Sequence, residues 1–178
     1  MKRIFLIIFT FLSINLYSQT NNDPVVYWSK NTRLRWSDFK GKAPESFRNE
    51  SASSFIEIHA RGIWKHHIPN YKVSVLFIKS KSWARDTSRS LLDHEQLHFD
   101  IGELYAREIK KTLMELKEQG DTVMKDYSQV LNAYYKGCKQ YNILYDKETD
   151  HGIYNREQKE WENRVSKELT QLKKYNTP

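Results

Sequence analysis

The sequence predicts an α+β fold, in which a small antiparallel sheet or hairpin packs on one long helix and two further helices complete the domain. Two observations support this fold class: side-chain polarity alternates through residues 54–79, and it repeats with a helical period from residue 90 onward. The length of 178 residues fits one ordinary domain. The single cysteine, Cys138, excludes an internal disulfide.

Two segments have the two-residue period of half-buried strands. The first covers residues 54–64, with Ile56 and Ile58 on one face, and the second covers residues 71–79. The residues between them, 65–70, contain a Pro-Asn turn signal. The sequence therefore predicts a β-hairpin.

Three segments after the hairpin have the periodicity of amphipathic helices. The longest is predicted to begin near Ser90, which resembles an N-cap residue, and to end at Gly120. A second helix is predicted over residues 122–143, and a third begins near Asn155. The polar run at residues 146–152 is predicted to form a loop between these two helices.

The N-terminus has the pattern of a secretory signal. Lys2 and Arg3 precede an apolar run at residues 4–17, which is too short to cross a bilayer core. We predict a signal peptide over residues 1–18, cleaved at its end, and a single domain over residues 19–178. The expected location is secreted or periplasmic, with no stable membrane span after cleavage.

The charge pattern argues against a nucleic-acid partner. The formal net charge of +7 is modest, and basic residues alternate with acidic ones, as in residues 107–110 and 156–160. No stripe of one sign forms, so these runs are expected to be solvated helix faces.

The predicted long helix carries an HExxH motif, made by His94, Glu95 and His98. A separation of four residues places the two imidazoles one turn apart on one helical face, where they can share a tetrahedral Zn²⁺. Glu95 lies about 100° around the helix, within reach of a water molecule bound to that ion. The alternative interpretation is that all three side chains are merely solvated.

A catalytic zinc usually has a third protein ligand, and helix geometry limits where it can be. In the metzincin pattern, glycine and histidine would occupy the positions of Ile101 and Leu104, so that class is excluded. Glu103 lies half a turn out of phase with His94. The third ligand is therefore expected from a different element.

The loop predicted before the last helix offers three candidates, Glu148, Asp150 and His151. We predict His151, because imidazole suits zinc and a short loop between two packed helices can bring one side chain over the metal. A glutamate of the third helix, Glu157 or Glu160, is the alternative.

The remaining histidines, His59, His66 and His67, belong to the predicted hairpin. An exposed edge strand of that hairpin could bind a peptide by strand addition. For His66 and His67 themselves, a role as solvated turn residues is more typical.

The chain resembles a bacterial family of unknown function described as predicted secreted zinc-dependent proteases, which is placed with the zincin-like peptidases. The resemblance spans residues 34–161. It depends on Leu34-Arg35-Trp36-Ser37-Asp38-Phe39-Lys40-Gly41, on Leu92-Asp93-His94-Glu95-Gln96-Leu97-His98-Phe99-Asp100-Ile101, and on Tyr145-Asp146-Lys147-Glu148-Thr149-Asp150-His151-Gly152 followed by Gln158 and Trp161. It implies a zincin-like α+β domain with His94 and His98 as metal ligands and Glu95 as the catalytic residue.

The sequence thus predicts an exported zinc-dependent peptidase that hydrolyses peptide bonds by Glu95-assisted attack of zinc-bound water, with His94, His98 and His151 as ligands. The expected substrate is a peptide or protein, cell-wall peptide included. The alternative is an exported, non-catalytic binding module with a structural metal or none.

Overall fold

The structure is a computed structural model that describes residues 24–48, 50–65 and 68–177, so the predicted signal peptide, residues 1–18, lies outside the described residues. The predicted α+β class is confirmed: a small antiparallel sheet packs on a long helix, and two further helices follow. The strands are β1 (Val25–Tyr27), β2 (Ala52–Ser53), β3 (Ile56–Lys65), β4 (Ile68–Ile78) and β5 (Trp83–Ala84), and the helices are α1 (Arg89–Glu118), α2 (Met124–Thr149) and α3 (Asn155–Gln171).

The main sheet has the strand order β1-β4-β3, and both pairings are antiparallel. The predicted hairpin is confirmed by the long pairing of β3 with β4, which runs from Ile56 opposite Phe77 to Lys65 opposite Ile68. His66 and His67, predicted as turn residues, lie outside the described residues. A second, two-stranded sheet pairs β2 with β5.

Helix α1 packs closely on the main sheet because Gly102 removes a side chain at the contact. A Cβ atom at this position would lie 3.0 Å from side-chain carbons of both Ile56 and Val75. Next to this contact, Phe77 of β4 packs against Phe99 of α1 with ring centroids 6.1 Å apart, and both rings are fully buried. The sheet therefore covers one face of α1, and the opposite face remains for α2 and α3.

The segment between β1 and β2 is hydrogen-bonded to α1 through residues other than the HExxH histidines. The backbone N–H of Leu34 donates to Oε1 of Gln96 at 2.8 Å, and Nε2 of Gln96 donates to Oδ1 of Asp100 at 3.0 Å. The indole N–H of Trp28 also donates to Asp100, at 2.8 Å. Gln96 and Asp100 therefore fix this segment to the helix.

Glu103 also faces away from the histidines, as its helical phase predicts. Its buried carboxylate accepts a hydrogen bond from Nε of Arg107 at 2.7 Å and one from the Thr177 hydroxyl at 2.6 Å. These contacts tie the C-terminal segment to α1.

Two predicted boundaries are wrong. The N-cap of α1 is Ser88, whose hydroxyl accepts a hydrogen bond from the Leu91 N–H, and not Ser90. The second error concerns the site. Helix α2 does not end at residue 143 but continues to Thr149, so Asp146 lies in a helix and not in the predicted loop at 146–152. The helix continues because Tyr145 and Thr149 keep the helical spacing of the buried stripe. The turn that remains before α3 is therefore short.

Within the described part of the chain, no helix is both long enough and apolar enough to cross a bilayer.

Candidate metal centre

The two histidines of the HExxH motif face each other on α1, as their spacing predicts. Their ring centroids are 4.7 Å apart, with the rings nearly perpendicular, and the two Nε2 atoms lie 3.1 Å from each other. Both side chains are buried, His94 at 2% and His98 at 9% residual exposure. Two imidazole nitrogens thus converge in a site largely shielded from water.

Asp146 of α2 completes a group of three donor atoms. Its Oδ1 lies 3.3 Å from Nε2 of His94 and 3.0 Å from Nε2 of His98. A tetrahedral zinc with ligand distances of about 2.0 Å requires donor atoms about 3.3 Å apart. The triangle formed by His94, His98 and Asp146 has nearly these dimensions, so this buried group could hold a metal ion.

The tautomer of His98 is fixed by Asn142. Nδ1 of His98 lies 2.6 Å from Oδ1 of Asn142, whose Nδ2 donates to the carbonyl oxygen of Cys138 at 2.9 Å. Because this second contact identifies the amide orientation, Asn142 accepts and His98 Nδ1 donates. In the neutral imidazole, Nε2 of His98 then carries the lone pair that a metal requires.

The tautomer of His94 is fixed in the same way by Gln158 of α3. Oε1 of Gln158 accepts a hydrogen bond from the Tyr145 hydroxyl at 2.7 Å and lies 3.3 Å from Nδ1 of His94. The ring of Tyr145 also stacks on the His94 imidazole, with centroids 4.6 Å apart. His94 is therefore held in position by α2 and α3, with its Nε2 lone pair directed at the group.

The two imidazole Nε2 atoms and the Asp146 oxygen form a group of three acceptor atoms, and such a group attracts a positive charge. Asp146 Oδ1 is buried and accepts no hydrogen bond of proper geometry from the described residues. Burial alone would lower the pKa of His98, but the adjacent carboxylate of Asp146 reverses this effect and raises it to about 9. Burial raises the pKa of Asp146, whereas His98 and the neighbouring imidazoles lower it, and the net result is a pKa well below the usual range. The site thus favours a bound cation, either a proton or a metal ion.

Glu95 lies beside this group and is also buried, at 4% exposure. Its Oε2 atom has no hydrogen-bond partner among the residues that the structure describes. A buried carboxylate oxygen without a donor is costly unless water or a ligand satisfies it. Glu95 is therefore available to bind a water molecule next to the three donor atoms.

His151 lies next to the three-atom group, in an uncommon backbone conformation. Its Nδ1 lies 3.7 Å from Oδ1 of Asp146, and its ring centroid lies 6.5 Å from that of His94. Asp150, His151 and Gly152 all have positive φ, at 45°, 57° and 81°. Such strain in residues other than glycine commonly accompanies functional sites. His151 as a metal ligand stays a prediction.

The carboxylates considered as alternatives to His151 have other contacts. Glu148 accepts a hydrogen bond from the indole N–H of Trp161 at 2.8 Å. Glu157 pairs with Arg156 at 2.7 Å, and the Glu160 side chain is 63% exposed. None of the three belongs to the group formed by His94, His98 and Asp146.

Comparison with known proteins gives one match. Residues 76–152 match a family described as bacterial protein of unknown function, DUF922. This segment extends from the end of β4 through α1 and α2 to Gly152, so it contains His94, Glu95, His98 and Asp146. The match supports the resemblance to a bacterial family of unknown function. No curated protein and no solved structure matches the chain.

Three residues of the site are not among those that the sequence predicts: Asp146, Asn142 and Gln158. Asp146 falls in the predicted loop, whereas Asn142 and Gln158 are amides that resemble ordinary surface residues in a sequence. A signal for the first two was present, because Cys138, Asn142 and Asp146 follow one another at intervals of four residues. This spacing places them on the same face of α2, the face directed at α1.

Proposed function

We propose that the protein is an exported zinc-dependent peptidase whose metal ligands are His94, His98 and Asp146. The observation that carries the proposal is the buried triangle of donor atoms, with edges of 3.0–3.3 Å, beside the orphaned carboxylate oxygen of Glu95. Two imidazoles and one carboxylate form a ligand set that is typical of catalytic zinc in metallopeptidases, and the HExxH motif favours zinc over iron. Bound there, zinc would lower the pKa of a water molecule and polarise a carbonyl group.

Glu95 provides the proton transfers in this proposal. Its Oε2 accepts the proton of the attacking water and later returns it to the leaving amine, so that the peptide carbonyl becomes a carboxylic acid and the nitrogen an amine. The burial of Glu95 keeps this carboxylate out of bulk solvent, which strengthens its interaction with the reacting groups. Hydrolysis of the peptide bond in this way needs no cofactor other than the metal.

His94 and His98 depend on their neighbours for this role. Asn142 and Gln158 accept hydrogen bonds from the Nδ1 atoms and keep the Nε2 lone pairs directed inward. Such partners make ligands more basic and fix the orientation of their rings. We therefore assign these two amides to positioning, and not to direct contact with the metal.

The substrate in this proposal is a peptide or a protein outside the cytoplasm. The basic and apolar residues at the N-terminus support export, and the interleaved charges give no basis for a nucleic-acid partner. Cell-wall peptide belongs to the same substrate class because its amide bonds need the same chemistry.

The rival hypothesis, a binding module with a structural metal, is less consistent with the site. Structural zinc sites are usually closed by four protein ligands. Among the residues that the structure describes, the donor group here has three members, and the neighbouring carboxylate oxygen has no partner. Three protein ligands with a fourth position for water are typical of catalytic zinc.

Substitution of Glu95 separates the two hypotheses. We expect Glu95→Gln to retain one equivalent of zinc by elemental analysis and to lose hydrolysis of a fluorogenic peptide library by at least about 100-fold. The matched control is Glu115→Gln, an exposed position on the same helix, which should hydrolyse the library like the natural protein. Zinc binding without hydrolysis in the natural protein, tested across the library, would contradict the peptidase proposal.

A further inference from the structure

The face of the β3–β4 hairpin that points away from the helices carries two basic residues directly opposite each other. In the register of the two strands Arg61 pairs with Lys72, and both side chains are exposed. Like charges at directly opposite positions destabilise a sheet. Glu57, the acidic residue on this face of the described hairpin, is already paired with His59 and Lys81, at 2.8 and 3.5 Å. The hairpin itself therefore offers these two basic residues no counter-charge.

An exposed isoleucine lies beside this basic pair. Ile63 is two residues after Arg61 and two residues before Lys65, so the three side chains lie on the same face of β3. Ile63 is 61% exposed, and Lys65 is exposed as well. One apolar side chain is thus flanked by three basic ones. The sequence alone does not reveal this group, because Lys72 comes from the neighbouring strand.

Two further apolar side chains are exposed at the same end of the molecule. The ring of Trp64, the neighbour of Ile63 in β3, packs against the ring of Tyr127 of α2 with centroids 5.4 Å apart. Met124 precedes Tyr127 by one helical turn, and it is 61% exposed. Val123, the residue before it, is exposed as well. The start of α2 therefore extends the apolar part of this surface.

The positive charge of this end comes from the hairpin. At the start of α2, Lys125 is accompanied by Asp121 and Asp126, and the carboxylate of Asp121 accepts a hydrogen bond from the Val123 N–H at 2.7 Å. This segment adds apolar area without adding net positive charge. An anionic partner would therefore be attracted by the three basic residues of the hairpin.

Exposed apolar side chains among basic ones are typical of proteins that bind at the surface of an anionic membrane. The basic groups approach the lipid phosphates, and the apolar side chains enter the boundary between headgroups and acyl chains. A soluble polyanion such as a nucleic acid would leave Ile63 and Met124 in water, because its phosphates offer them no apolar contact. The combination therefore favours a lipid surface over a soluble polyanion.

We propose that this end of the protein, formed by Arg61, Ile63, Lys65, Lys72 and Met124, docks on the surface of an anionic lipid bilayer. The metal centre lies at the other end of α1, because helical rise separates His98 from the last residue of that helix by about 30 Å. Docking would therefore leave the metal centre away from the bilayer. The inference does not depend on the proposed peptidase function, and its test does not involve hydrolysis, so failure of one leaves the other standing.

The test measures sedimentation of the protein with lipid vesicles. It uses residues 19–178, the chain after the predicted cleavage, because an attached signal peptide would bind lipid by itself. The vesicles consist of phosphatidylcholine alone or of phosphatidylcholine mixed with phosphatidylglycerol. At low salt we expect binding to the mixed vesicles to exceed binding to the neutral ones by at least about tenfold, and to fall as the salt concentration rises.

Substitution of Ile63 tests the apolar part of the surface. Ile63→Ser should weaken binding to the mixed vesicles by about fivefold, because an apolar side chain no longer enters the lipid. The matched control is Ile153→Ser, which changes an isoleucine that is 58% exposed in the turn beside the metal centre. This control should bind the vesicles like the natural protein.

Substitution of the basic pair tests the charged part. The double variant Arg61→Gln, Lys72→Gln should weaken binding to the mixed vesicles by about tenfold or more. The matched control, Lys147→Gln with Lys167→Gln, removes two exposed lysines of α2 and α3. It lowers the net charge equally and should weaken binding by less than about threefold, because screening limits the reach of distant charges.

A fluorescent label reports which end meets the lipid. The native Cys138 is fully buried, so a label attached to Ile63→Cys or to Ile153→Cys is selective. Mixed vesicles should shift the emission to the blue for Ile63→Cys alone. Equal binding to neutral and mixed vesicles, or equal weakening by Ile63→Ser and Ile153→Ser, would overturn the proposal. Binding to soluble polyphosphate without binding to vesicles would also overturn it, as would a dimer in sedimentation velocity that Ile63→Ser dissociates.

Discussion

Gly152 lies in direct contact with His94, so close that a Cβ atom added to Gly152 would lie 2.9 Å from the Cβ of His94. The φ angle of Gly152 is +81°, a conformation that side chains other than glycine rarely adopt. The turn after α2 therefore packs directly against α1 at the first histidine of the motif. This contact connects the position of the turn with the position of a proposed metal ligand.

We expect Gly152→Ala to weaken zinc binding by at least about tenfold, because the added methyl group must displace His94. Gly120→Ala is the matched control: its φ is +77°, but no described atom lies within 4 Å of the added Cβ. Both variants should lose roughly 1–2 kcal/mol of unfolding free energy from backbone strain. Competition titration with a chelator measures the affinity, and equal zinc affinities in the two variants would contradict the proposed contact.

A second prediction concerns Asn142, which holds the ring of His98. Asn142→Ala should lower zinc affinity by about 10- to 100-fold, because His98 loses the acceptor that fixes its tautomer. Asn132→Ala, at an exposed position on the same helix, should bind zinc as tightly as the natural protein. If both substitutions leave the affinity unchanged, Asn142 does not position His98.

The pH dependence of metal binding follows from the raised pKa of His98. In the metal-free protein this pKa is about 9, so His98 is protonated at pH 7.5, and zinc must displace that proton. We expect at least about one proton to be released per zinc at pH 7.5, with zinc affinity rising as the pH rises toward 9. Calorimetry in buffers of different ionisation enthalpy measures this number, and zinc binding without proton release would show that His98 is not a ligand.

The metal-free protein should respond to pH in the opposite direction. The pKa of His98 is raised above its ordinary value of 6.5, so the stability that the proton contributes is complete below about pH 6.5 and is lost as the pH rises through 9. Thermal unfolding of the chelator-treated protein across this range is the companion measurement. It should show falling stability from about pH 6.5 to 9, whereas the zinc-loaded protein, in which His98 carries no proton, should change little over the same range.

His151 allows the ligand predicted from the sequence to be compared with Asp146, which lies with the two histidines in the structure. Because His94, His98 and Asp146 form the donor group without it, His151→Ala should retain about one equivalent of zinc. His59→Ala changes an exposed histidine of the hairpin and serves as the control. Complete loss of zinc from His151→Ala alone would restore His151 to the ligand set.

Much of the fold could be predicted from the sequence because the hydrophobic periodicity indicates which faces of the strands and helices are buried. The alternation around Ile56 and Ile58 located the hairpin, and the four-residue spacing of His94 and His98 located two donor atoms. The end of α2 was not predicted because the polar run at residues 146–152 favours a loop. In the structure, a Cβ at Gly137 would lie 3.2 Å from the Tyr105 ring, so this glycine permits close packing of α1 and α2.

Asp146 shows why the rest of the site could not be predicted from the sequence. A local pattern identifies ligands on one helix, but the third donor comes from a second helix, and the approach of α2 to α1 depends on packing over the whole domain. Gln158, from a third helix, reaches His94 for the same reason. The four-residue spacing of Asp146 from Asn142 and Cys138 is a weak local sign, because a polar residue in a mainly polar run is more often exposed than buried.

Asp146 is the third ligand of the proposed metal site beside His94 and His98, and the zinc affinity of Asp146→Asn decides this assignment. Asp150→Asn is the matched control, since it makes the same change four residues later, at a left-handed position that asparagine tolerates. We expect about one equivalent of zinc in the natural protein and in Asp150→Asn, and an affinity more than about 100-fold weaker in Asp146→Asn, because removal of a ligand weakens binding more than removal of a residue that orients one. If Asp146→Asn binds zinc as tightly as the natural protein, Asp146 is not a ligand.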